Sequence, residues 1–200
     1  TQGGKLCLFN HTDEDGVLTQ WLSNGAVLYP MCGVPFLDEG TACTVFDISE
    51  KKQEKMRITA SDWPETLRVD DRTNKDRLVE PMPLSINYGG ETLLPMLTRG
   101  GGITYIQKKY LGPLEDTQEV LTYCERVDTR GGRYIAVFNG LLIAAIIYPY
   151  DIIKEDFTEK METIARLTER ELKQRDLLGK NRASLEGKDQ RTLFEDEEDA

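Results

Sequence analysis

The chain has 200 residues, of which 39% are hydrophobic and 30% charged, and its formal net charge is -10. That length suits one well-buried domain or two small ones, and no apolar run approaches the roughly 20 residues that span a bilayer. The acidic balance argues against broad, sequence-independent binding to phosphate backbones, which needs clustered Lys and Arg, but leaves a local basic face and direct nucleic-acid contact open.

Thr1-Gln2-Gly3-Gly4 shows no signal peptide, so the cytoplasm is the expected compartment and no membrane association is expected. Cys7, Cys32, Cys43 and Cys124 form no Cys-x-x-Cys pair, which argues against zinc and dithiol redox sites. Their apolar or small neighbours predict buried free thiols in a reducing compartment.

Residues 1–60 read as a small β-rich α/β part. Lys5 to Phe9 and Ala26 to Tyr29 are predicted strands, with Val17 to Leu22 favoured as a third and Asn24-Gly25 turning into the next. Asp47 with Glu50 predicts a capping box for a helix through Met56. Residues 61–83 are charged and turn-rich, the best stretch for a linker, or for a small hairpin pairing Leu67-Arg68-Val69 with Leu78-Val79.

Residues 84–179 carry the clearest pattern. Ile103 to Ile106, Glu119 to Cys124, Tyr134 to Phe138 and Leu141 to Tyr148 read as strands of an antiparallel meander. Asn139-Gly140 between two apolar runs predicts a type I′ turn, which needs positive φ at both central positions. The last strand is apolar on both faces and should be central or covered. Phe157, Met161, Ile164, Ala165 and Leu172 recur at helical spacing beyond it, with Glu162/Arg166, Glu169/Lys173 and Glu171/Arg175 as outward pairs and Gly179 as the stop. The expected fold class is α+β: a meander packed by a long C-terminal helix, a smaller N-terminal β-rich part, and a disordered acidic tail over 180–200.

His11-Thr12-Asp13-Glu14-Asp15-Gly16 is the most suggestive group for chemistry. Alternating ligand types in a tight loop can converge, and carboxylate oxygens suit manganese or magnesium. The pattern His-x-Asp-x-Asp-Gly resembles the first motif of the DHH phosphoesterases. That resemblance implies a divalent metal held by His11, Asp13 and Asp15 and used to activate water against a phosphodiester. The family's Asp-His-His motif is missing, because His11 is the chain's one histidine. As an ordinary loop, the same residues make a hairpin connection with Asp15-Gly16 as turn chemistry, and this is the reading expected of them.

The glycine clusters match no nucleotide-binding pattern and read as turns. Their alternative is an anion site at Arg99, Arg130 and Arg133, which flank flexible backbone amides.

Gln190-Arg191-Thr192-Leu193-Phe194 closes the reading. Its Leu-Phe pair stands in a polar segment with no core to join. The spacing Gln-x-x-Leu-Phe is similar to the peptides with which bacterial replication and repair proteins grip the sliding clamp. That similarity implies Leu193 and Phe194 in adjacent apolar pockets, with Gln190 fixing register. Together these features point to an intracellular macromolecule-binding or adaptor protein with no cofactor, tethered to replication or repair through its tail. A metal-dependent phosphoesterase or nuclease and a structural assembly subunit are the alternatives.

Overall fold

The computed structural model describes residues 4–74, 76–115 and 120–192, with side chains placed as far as residue 176 in the last helix. Two compact units divide the chain, Thr1–Asp151 and Ile152–Ala200. The fold is α+β, a large and mostly antiparallel sheet with a long C-terminal helix. Among the described residues no helix is long and apolar enough to cross a membrane.

The first unit contains β1 (Lys5–Thr12), β2 (Leu18–Ser23), β3 (Val27–Pro30), α1 (Glu39–Val45), α2 (Glu50–Gln53), β4 (Arg57–Asp62), β5 (Arg77–Pro81), β6 (Ile86–Tyr88), β7 (Glu91–Thr98), β8 (Ile103–Gln107), a 3-10 helix (Lys108–Leu114), β9 (Leu121–Val127), β10 (Arg133–Asn139) and β11 (Leu142–Ile147). The strands follow the order β4-β1-β2-β3-β11-β10-β9-β5-β7-β6, with β8 added to β7. The predicted meander is present as β9-β10-β11. Its first candidate strand, β8, pairs with β7 instead. β11 is central, between β3 and β10, as a strand apolar on both faces must be.

Strand alternation sorts the side chains into two cores. On one face Val79, Met96, Ile106, Ile135, Val137, Ala145 and Ile147 pack together. On the other, Trp21, Leu28, Leu67, Cys124, Tyr134, Ala136, Phe138 and Ile146 do so. Opposite β10, the register of β11 slips between Val137 and Phe138. The bulge reverses the alternation, so Ile143 joins the second core while Ala145 lies in the first.

The hairpin predicted at Asn139-Gly140 forms one residue later. Asn139 pairs with Leu142, and of the turn residues Gly140 has the positive φ, 63°. Asn139 also pairs with Leu121 of β9, which holds it in the ladder and out of the turn. The strand reading of 17–22 is borne out by β2, and Asn24-Gly25 turns into β3 as expected, with Gly25 at φ 92°.

The helix expected from the Asp47/Glu50 box reduces to α2, whose cap residue Ser49 makes no side-chain bond. Asp47 ends a helix rather than starting one. At φ 48° it follows α1, with Ile48 N donating to Cys43 O at 2.8 Å and Asp47 N to Thr44 O at 3.2 Å. That is a Schellman closure. The capping box belongs to α1, where Thr41 N donates to Asp38 Oδ1 at 2.7 Å and Asp38 N to Thr41 Oγ1 at 2.8 Å. Buried Gln20 ties the approach to α1 to the sheet, bonding Leu37 through both its amide atoms at 2.9 Å.

Within 61–83, Leu67 is buried beside Trp63, and β5 pairs with β9 and β7 rather than with 67–69. Of the thiols, Cys7 and Cys124 are buried and Cys43 is half-buried, but Cys32 is exposed. It sits in the turn after β3, where no sheet face is available to cover it.

The second unit is dominated by α3 (Glu155–Thr192), which continues through Gly179, the expected stop. Its outward pairs include Lys173 with Glu169 at 3.0 Å and Lys160 with Asp156 at 2.6 Å. Phe157 is buried and Met161 half-buried, but Ile164, expected on the same covered stripe, is 58% exposed. Leu193 and Phe194 lie outside the described residues, and Gln190 is placed by its helical backbone alone.

Candidate functional site

The loop joining β1 to β2 faces the segment before β5 across an open groove of about 430 Å³, lined by 11–15 on one side and 67–71 on the other. Asp13 is committed to the turn. Its Oδ1 accepts from Val17 N at 2.7 Å and from Asp15 N at 3.0 Å, while Gly16 takes φ 80°. His11 stacks edge-on against Trp63 with ring centroids 5.2 Å apart, and Trp63 meets Trp21 at 5.1 Å. Asp13 and Asp15 are exposed. Among the described residues no three His, Cys, Asp or Glu gather closely enough to hold a metal ion. The residues present therefore do not fit the ligand set that the phosphoesterase resemblance implies.

The far wall of this groove is built by a residue that sequence reasoning missed. Arg126, on β9, is buried with its side chain 4% exposed. Nε and Nη2 donate to Asp76 Oδ1 and Oδ2, each at 2.8 Å, in the fork geometry that makes such pairs strong. Nη1 reaches Asp70 O at 3.0 Å and Nη2 reaches Asp71 O at 3.2 Å. The guanidinium also lies over the Phe138 ring, 5.1 Å from its centroid. Tyr134 adds a bond from its hydroxyl to Arg68 O at 3.2 Å, and Arg68 pairs with Asp70. One buried cation thus fixes a stretch of chain that has no ladder of its own. The hydrogen bond from Arg126 holds the Asp76 carboxyl below the usual range, and Arg68 does the same for Asp70.

Of the three arginines read as an anion site, Arg99 and Arg133 line one groove together with Arg77. Arg130 does not line it. It occupies the turn before β10, where its backbone N donates to Asp128 Oδ1 at 2.8 Å. Register explains the grouping, because Arg77 pairs with Glu125 across β5 and β9, while Arg133 opens β10 opposite Val127.

Comparison with protein-family models, with curated proteins and with solved structures finds no match for this chain.

Proposed function

We propose that this chain is a macromolecule-binding adaptor that docks on a protein partner through its C-terminal helix and the peptide Gln190 to Phe194. The supporting observation is the state of α3. The helix is about 57 Å long at the usual rise. Past its first two turns the apolar residues whose side chains are described stay in solvent, with Ile164 58% and Leu172 59% exposed. Apolar side chains repeated along a long charged helix gain most when a second surface removes them from water. The Gln-x-x-Leu-Phe spacing makes a bacterial sliding clamp the partner to test first. Gln190 to Thr192 have helical backbone, so docking in extended form unwinds the end of α3, where helices fray at low cost.

The test is binding of the full chain to a purified bacterial sliding clamp, expected at roughly micromolar affinity for a short segment that must order. Leu193→Ala with Phe194→Ala removes two anchors, each worth on the order of 1.5–3 kcal/mol if fully buried. Binding should weaken at least tenfold, with the unfolding midpoint unchanged. No clamp binding, or binding indifferent to the double substitution, overturns the clamp reading. Self-association of the full chain that is lost on Leu172→Asp would instead assign the helix to subunit assembly.

A further inference from the structure

We infer that the groove between β5, the β7–β8 turn and the start of β10 binds a phosphoryl group, either inorganic phosphate or the phosphate of a small phosphomonoester. The groove holds about 490 Å³ and draws three guanidiniums from separate parts of the chain, Arg77, Arg99 and Arg133. Such a gathering of cations runs against the bulk of a molecule whose net charge is -10. Each of the three is exposed, and neither Arg77 nor Arg99 makes an ion pair among the described residues.

Glu125 is the carboxylate of this lining, and it is nearly covered while Arg133 is not. Arg133 Nη1 lies 3.4 Å from Glu125 Oε1, and the two side chains are 70% and 8% exposed. The carboxylate therefore holds one edge of the guanidinium from beneath and leaves the rest of the fork turned to solvent. Thr98 Oγ1 accepts from Gly102 N at 3.1 Å and keeps its own hydrogen to donate. Among the described lining residues the charge is thus three cations against one anion, a surplus that matches a phosphate dianion. Planar forks suit its oxygens.

The ligand class follows from what else lines the groove. Among the described residues Thr98, Gly100 and Gly102 complete it, with no aromatic ring on which a base could stack. Recognition rests on the phosphoryl oxygens, and the acidic remainder of the surface opposes a long polyanion.

The test titrates the full chain with inorganic phosphate, with phosphoserine and with a short oligothymidylate lacking terminal phosphate, followed by calorimetry and phosphorus NMR. Phosphate should bind with a dissociation constant on the order of 1 mM. Arg99→Gln should weaken it roughly tenfold and Arg77→Gln with Arg99→Gln roughly a hundredfold, by loss of one and two charge-assisted contacts. Circular dichroism and the unfolding midpoint should not move, since these side chains are exposed. Phosphoserine bound as tightly as phosphate supports recognition of the phosphoryl group alone. Tighter phosphoserine binding supports the proposal with a phosphomonoester as its source. No binding of either at 10 mM (about ten times the expected constant), or binding that survives both substitutions, overturns it. Arginine-dependent binding of the oligothymidylate that exceeds phosphate also overturns it, in favour of a nucleic-acid strand.

Discussion

Arg126 and Arg133 lie on neighbouring strands, on opposite faces of the sheet, and each meets a carboxylate. They have opposite fates. Arg126 spends its fork on Asp76 and on the carbonyls of Asp70 and Asp71, while Phe138 covers its plane. Arg133 has a single long contact and stays in water. The difference lies in what is opposite each side chain. The chain before β5 has no strand partner for its carbonyls, so a buried donor is worth its desolvation there. At the mouth of the other groove Glu125 takes one edge of the guanidinium, and the rest of the fork remains open to a ligand. A filled fork is architecture; an open one is available for recognition.

The largest expected effect tests the filled fork. Arg126→Ala leaves buried Asp76 without its ion partner, with Thr73 N as a remaining donor, and takes the guanidinium from the carbonyls of Asp70 and Asp71; it should cost about 3–5 kcal/mol in denaturant unfolding. A loss under about 1 kcal/mol would be the size of an exposed pair and would erase the contrast. Asp76→Leu with Arg126→Met sharpens it. Replacing an isolated buried pair with apolar residues is often neutral or stabilising. Here the carbonyls of Asp70 and Asp71 still lose their donor, so a net loss of about 2 kcal/mol is expected.

Acid provides the next test. Asp76 titrates below its unfolded value of about 3.9 because Arg126 bonds the charged form. Its contribution is therefore complete above about pH 4 and disappears as pH falls through the lowered folded value. Asp76→Asn should flatten stability against pH in that window, and an unchanged slope would mean the pair carries no such linkage. The smallest effect belongs to Arg133→Gln. It should change stability by about 1 kcal/mol or less, because the contact with the covered Glu125 is long and a glutamine amide can still donate to that carboxylate.

The same contrast explains what the sequence disclosed. The meander was legible because β10 and β11 are strongly apolar and the Asn-Gly turn is local; only the ladder contact of Asn139 with Leu121 shifted that turn by a residue. The long helix was legible through its spacing, while the exposure of Ile164 was not, since periodicity marks a face without saying whether anything covers it. Arg126 was hidden for a different reason. In Tyr123-Cys124-Glu125-Arg126-Val127 it reads as a solvent-facing strand charge, and its partner Asp76 stands far earlier in a run that resembles a linker. The α1 box was missed because Asp38 and Thr41 lack the Glu or Gln usual at its third position. Arg99 and Arg133 were noticed for flanking glycines, but Arg77 could be added only by register across β9.

The pairing of β3 with β11 has a consequence for how the protein comes to be made. Leu28 waits for Ile146, and until that segment leaves the ribosome the first three strands end in an open edge. Bringing such distant segments together is the slow kind of step, because the loop must close before the contact gives anything back. During that interval the bare edge of β3 is a template for any other extended chain nearby. Synthesis arrested before β11 should therefore yield an aggregating product rather than a soluble N-terminal fragment, even though β1, β2 and β3 pair with one another locally.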